Sequence, residues 1–167
     1  MATQIIFHIG LEKTGTDSFQ RCCSENQRAL LRLGVLYPVK GLAFAGHSHG
    51  PLAACYLAYP DLSVGPARVR AEVLRSLRAE IDRVNPATVL ISAEHFSSRF
   101  GDAEIEQLAR DFTGYECKIA VVVREHVPRL HSAYAQWILA GRILSFDERQ
   151  WNQHSRSASL AAEPARS

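Results

Sequence analysis

Residues 8 to 20, HIGLEKTGTDSFQ, follow the short apolar run Ile5-Ile6-Phe7 and lead into a helical pattern. The stretch therefore reads as a strand, a tight loop and the start of a helix, with a lysine inside the loop. That is the architecture of a phosphate cradle. Gly10 and Gly15 let the backbone fold so that successive N–H groups and a helix N-terminus point at one anion, while Lys13 adds a full positive charge. In the loop GxxxxGK[ST] the lysine follows the last glycine, whereas here Lys13 precedes Gly15 in the order Lys-Thr-Gly-Thr. The order points to a different nucleotide.

Farther along, helical and extended segments alternate. Ser18 to Leu33 carries apolar residues at roughly helical spacing, with Gly34 as its C-terminal cap. Val35-Leu36-Tyr37 reads as a short strand stopped by Pro38, and residues 41 to 50, with His47 and His49 in GHSHG, read as a surface loop. Pro51 opens a small helix through Tyr59. Pro66 to Val84 places Val69, Val73, Leu74, Leu77, Ile81 and Val84 on one stripe, an amphipathic helix ended by Asn85-Pro86. Thr88 to Ser92 reads as a buried strand, and Asp102 to Phe112 as a helix with Asp102 as N-cap. Cys117 to Val123 reads as a second buried strand, and Pro128 suits the first turn of a helix reaching about Leu139.

Apolar strands separated by helices predict an α/β fold: three layers, α/β/α, around a central, mostly parallel sheet. Ligands of such sheets sit at the carboxyl ends of the strands, and Lys13, Glu94 and Arg124 all fall at or just after such ends.

With 167 residues and 47% hydrophobic content the chain can bury one substantial core. A net charge of +2 is too mild to argue for nucleic acid. No apolar run is long enough for a membrane span, and the first strand starts too near Met1 to leave room for a secretory leader. Cys22, Cys23, Cys55 and Cys117 show no CxxC spacing, which fits free thiols in a reducing cytoplasm and no metal site.

A strand followed by GxxKTGT and a helix resembles the 5′-phosphosulfate-binding loop of sulfotransferases that use 3′-phosphoadenosine 5′-phosphosulfate (PAPS). The segment KIAVVVREHVPRLHSAYAQW, residues 118 to 137, is similar to that family's 3′-phosphate-binding segment, in which an arginine ends a strand and a serine follows on the next helix. Here those are Arg124 and Ser132. The resemblance implies a P-loop-like domain over residues 1 to 148, the N-terminal portion of the family fold and so incomplete at its C-terminus. Residues 149 to 167, polar and without periodicity, read as a disordered tail. A chain that stops after four strands is expected to expose an unpaired edge or apolar face, which invites a homodimer or aggregation.

The chemistry implied is in-line transfer of a sulfonate from PAPS to a hydroxyl or amine of a small-molecule or carbohydrate acceptor, with no metal. Lys13 neutralises the charge on the departing bridging oxygen, and Gly10, Thr14, Gly15 and Thr16 hold the 5′-phosphate. Asp17 departs from the family's hydroxyl-bearing residue and puts a carboxylate beside the phosphate, unless it turns away to cap the helix or pair with Arg21. Glu94, at the end of the third strand, is the candidate general base and His95 the reserve. Arg124 and Ser132 take the 3′-phosphate. Two other classes stay open: a catalytically inactive relative or nucleotide-binding module, and a P-loop nucleotide kinase, against which the lysine placement stands.

Overall fold

The computed structural model describes residues 3–10, 14–42, 46–57 and 66–139. The elements are β1 (Gln4–Gly10), α1 (Thr16–Glu25), α2 (Gln27–Arg32), β2 (Val35–Leu36), α3 (Gly50–Ala54), α4 (Pro66–Val84), β3 (Thr88–Ser92), α5 (His95–Ser98), α6 (Asp102–Asp111), β4 (Glu116–Val122) and α7 (His126–Leu139). The chain divides into two compact units, Met1–Val123 with the whole sheet, and Arg124–Ser167, of which residues 124–139 are described. The expected domain end at 148 and the tail from 149 lie outside the described residues.

The four strands are all parallel, in the order β2-β3-β1-β4, so the fold is α/β as expected. Register pairs Ile5 with Val89 and Cys117, and Phe7 with Ile91 and Ile119, which puts these residues on one face. The buried core grows there. Ile5, Phe7, Leu36, Val89 and Ile91 from the sheet meet Leu74, Leu77 and Ile81 of α4, Leu52 and Ala53 of α3, and Phe96 and Phe112. Fully burying such a side chain stabilises by about 1.5–3 kcal/mol relative to leaving it in water. Phe7 lies between two rings, edge-on to Phe96 (5.6 Å) and to Phe112 (5.1 Å). On the opposite face, His8 and Ser92 meet Phe19 and Gln20 of α1, so helices lie against both faces.

Local chemistry explains the boundaries. The single helix expected over 18–33 is broken at Asn26. Its side-chain amide and its backbone N–H both donate to the Cys22 carbonyl (2.8 and 3.1 Å), and its backbone leaves the helical region at φ −112. The helix expected from Pro51 to Tyr59 instead runs Gly50–Ala54, with Pro51 in its first turn, and Tyr59 lies outside the described residues. The stripe on α4 is as read, and Asn85 ends that helix at φ 49, a left-handed conformation that asparagine tolerates. Asp102 is the first residue of α6 rather than its cap: Gly101 is the N-cap, and its N–H donates to the Glu104 carboxylate (2.8 Å).

The larger correction concerns the strand expected to be buried over 117–123. It is formed by Glu116–Val122 and lies at the sheet edge, with Ile119 69% and Val121 57% exposed. Ile119 lies on the core face, level with Phe7, yet no described helix of the first unit buries it. Glu80 is a further feature that the sequence pattern does not announce. This buried carboxylate on α4 accepts the N–H groups of Val39 (3.1 Å) and Lys40 (2.9 Å), fastening the chain after β2 to the helix. No described helix is long and apolar enough to cross a membrane.

Candidate functional site

β1 is an inner strand flanked by β3 and β4, so its last residue, Gly10, lies within the sheet's carboxyl edge. Gly15 is the N-cap of α1 at φ 90, a left-handed conformation that glycine enters without strain, and no side chain among the described residues caps the helix. The first-turn N–H groups of a helix are donors of the kind that an anion can take. Gly10 is required for a different reason. A Cβ built there would stand 2.4 Å from Thr16 Cγ2 and 3.0 Å from Thr14 Oγ1, so both threonines fold directly over its Cα. Lys13 lies outside the described residues.

Thr16 is buried, and its hydroxyl donates to Glu94 Oε1. One helical turn later, buried Gln20 donates through Nε2 to Ser92 Oγ (3.0 Å), which also pairs with His8 Nδ1 (2.7 Å). Thr16 and Gln20, four apart on α1, therefore meet Glu94 and Ser92, two apart at the end of β3. A third tie comes from Ser97 on α5, whose hydroxyl donates to the Gly10 carbonyl (2.7 Å) and to the Glu94 carbonyl (2.9 Å) by turns. The helix start and the strand ends form one fixed corner.

The structure thus brings Gly10, Thr14, Gly15, Thr16 and Glu94 together in the first unit. His95 opens α5, with its ring carbon Cε1 3.5 Å from where a Gly50 Cβ would stand, so it borders the GHSHG loop. Asp17 is exposed and lines an outward cleft with Ser18, Arg21, Cys22 and Glu25. It makes neither a cap bond nor an ion pair with Arg21 among the described residues, and as an acid in the first turn it favours the positive end of the helix dipole. Arg124 and Ser132 belong to the second unit: Arg124 is exposed just before α7, and Ser132 is half-buried on that helix.

The histidine loop overturns the expectation of a surface loop. His49 is fully buried. Its Nδ1 accepts the Ser92 N–H (3.0 Å), its Nε2 donates to the Pro38 carbonyl (3.1 Å), and its own N–H donates to the Ser92 carbonyl (2.7 Å). Tyr37 stands edge-on to the ring at 4.7 Å and donates to the His47 carbonyl (2.6 Å). These bonds fix the neutral tautomer with its proton on Nε2, because a proton on Nδ1 would face the Ser92 N–H donor. Burial pushes the His49 pKa down to about 4, from an unfolded value of 6.5. Burial lowers the His8 pKa as well.

The unfolded chain therefore binds more protons than the folded one below pH 6.5. Stability from neutral His49 is fully present above pH 6.5, declines as pH falls, and is lost by about pH 4. The amount is on the order of 3 kcal/mol. Denaturant midpoints measured from pH 7 to pH 4.5 will fall for the wild type and fall less for His49→Gln; equal slopes for the two proteins would rule His49 out as the cause.

Gln20, Ser92, His8 and His49 carry no sequence signal of their roles. They are polar residues within apolar or glycine-rich stretches, and nothing in their local spacing marks them as partners. Among the described residues, no group of three or more His, Cys, Asp or Glu side chains could hold a metal ion. Comparisons with family models, with curated proteins and with solved structures find no match for this chain.

Proposed function

We propose that this chain binds PAPS at the turn between β1 and α1 and transfers its sulfonate to an acceptor hydroxyl or amine, carbohydrate acceptors included. The observation that carries the reading is the hydrogen bond from Thr16 to Glu94. It joins the candidate phosphate cradle to the candidate base, 78 residues apart in sequence, at the carboxyl ends of adjacent parallel strands.

In this reading Thr14, Gly15 and Thr16 hold the 5′-phosphate, through the α1 N–H groups above all. Glu94 takes the acceptor's proton as the new bond to sulfur forms, and the bond from sulfur to the bridging oxygen breaks. Lys13 neutralises the charge left on that oxygen. Adenosine 3′,5′-bisphosphate departs. The sequence resemblance gives the 3′-phosphate to Arg124, whose guanidinium fork matches phosphate oxygens, and to Ser132. The four free cysteines fit a reducing cytoplasm, and the exposed apolar residues of β4 fit a homodimer.

Calorimetric titration with adenosine 3′,5′-bisphosphate, beside ATP with magnesium, tests the reading. Micromolar binding selective for the bisphosphate and lost in Arg124→Ala is the expected result. Preference for magnesium-ATP would move the chain to the kinases. Bisphosphate binding with no transfer to any acceptor would leave a nucleotide-binding module.

A further inference from the structure

If the site is that of a sulfotransferase, its cradle and its base share a single proton. Thr16 has one hydroxyl proton and gives it to Glu94 Oε1. A hydroxyl donates one hydrogen bond at a time, so an anion that draws this proton takes it from the carboxylate. Both partners are held in place. Thr16 is buried against Gly10, Gln20 holds α1 to Ser92 one turn on, and Ser97 holds the start of α5 to the Gly10 carbonyl.

We propose, resting on the sulfotransferase reading, that Glu94 is the proton-linked residue of this site: a phosphate bound at Thr14–Thr16 withdraws the Thr16 hydroxyl from Glu94 and sets negative charge beside it, so that ligand binding is coupled to proton uptake by Glu94. Both changes act in one direction. Losing a donor to the ionised form and gaining a neighbouring like charge each favour the protonated carboxyl. At pH above its raised pKa Glu94 is still ionised, and there it is the stronger base only when the cofactor is in place. Acceptor deprotonation is thereby reserved for the loaded site.

Other titratable groups surround this corner. His8 on β1 is turned to Ser92, with its Nε2 buried and without a hydrogen-bond partner among the described residues. His49 is tied to Ser92 and Pro38, and His47 precedes it in the same loop. His95 adjoins Glu94 on α5, Asp17 on α1 faces the outward cleft, and Lys13 lies in the chain between Gly10 and Thr14. Glu94 alone accepts the Thr16 hydroxyl proton, so substitution at Glu94 isolates the coupling.

The experiment is titration with adenosine 3′,5′-bisphosphate at pH 6 in buffers of different ionisation enthalpy, which counts the protons taken up on binding. The ligand's own phosphates shift protonation in every variant, so the quantity read is the difference between wild type and Glu94→Gln. The wild type is expected to take up more, by as much as about one proton, since linkage turns a raised pKa into bound protons. Thr16→Ser, which keeps the hydroxyl, retains the difference; Thr16→Val reduces it. Equal proton counts for wild type and Glu94→Gln, with both binding the bisphosphate, would overturn the coupling and leave the sulfotransferase reading intact. No binding by either folded protein would overturn both.

Discussion

If the chain is the proposed sulfotransferase, Lys13→Ala is expected to slow sulfonate transfer by about 10²–10³-fold while thermal melting stays at the wild-type temperature. The two halves of this expectation have separate grounds. Lys13 directly precedes Thr14 in the sequence, and a charged lysine is a residue type that folding keeps out of an apolar core, so its loss leaves the core packing as it is. In the proposed reaction its charge is needed only as the bridging oxygen leaves, when negative charge appears where the phosphosulfate had shared it. Removing one preorganised group of this kind costs about 10²–10³ in rate, or about 3–4 kcal/mol. Single-turnover transfer from PAPS, measured beside a melting curve, checks it. Lys13→Arg restores charge without the lysine's reach and recovers part of the rate. Turnover in Lys13→Ala equal to wild type would remove this lysine from the mechanism.

Gly10→Ala will weaken bisphosphate binding by about ten- to a hundredfold, the consequence of an overpacking strain of about 1–3 kcal/mol. The added methyl would stand 2.4 Å from Thr16 Cγ2, and Thr16 cannot retreat cheaply because its hydroxyl is held by Glu94. The strain passes into the Thr14–Thr16 backbone, the part that must face the anion. Gly15→Ala makes a useful contrast. Nothing lies within 4 Å of a Cβ at Gly15, so its cost is the left-handed backbone alone, about 1 kcal/mol. Titration and melting of both variants separate the two effects: Gly10→Ala loses affinity beyond its loss of stability, and Gly15→Ala loses mainly stability. A Gly10→Ala protein that binds like wild type would place the anion elsewhere.

How much the sequence disclosed depends on the range of the interactions. Thr88–Ser92, the α4 stripe and the strand-turn-helix around Gly10 were legible because each is written in contiguous residues or in a period of two to four. The exposure of β4 was not, since an apolar run reads alike on an inner strand and on an edge; strand order decides, and order is set by pairings some hundred residues apart. The site divides the same way. Gly10, Thr14, Gly15 and Thr16 could be read from their spacing, and Glu94 from its place after a strand. The contact of Thr16 with Glu94 and the junction of Gln20, His8 and His49 on Ser92 span 43 to 84 residues, where no periodicity reaches. Asn26 lay within local range and was missed, because its side chain competes for a backbone carbonyl instead of continuing the helix.

The position of β1 also governs when the molecule becomes competent. Of the four strands, the one that ends in the candidate cradle is made before the others, and its two neighbours follow 84 and 112 residues later. At about 5–20 residues per second, β1 waits roughly 5 to 20 seconds for the second of them. Throughout that interval Ile5 and Phe7 have no finished sheet to enter, and the start of α1 has neither Ser92 nor Glu94 to hold it. Such long-range parallel pairing makes folding slow and leaves apolar segments exposed to aggregation. A ligand of this corner therefore cannot assist the early chain: the partners that hold the start of α1, Ser92 and Glu94, come only with β3 and the residues after it.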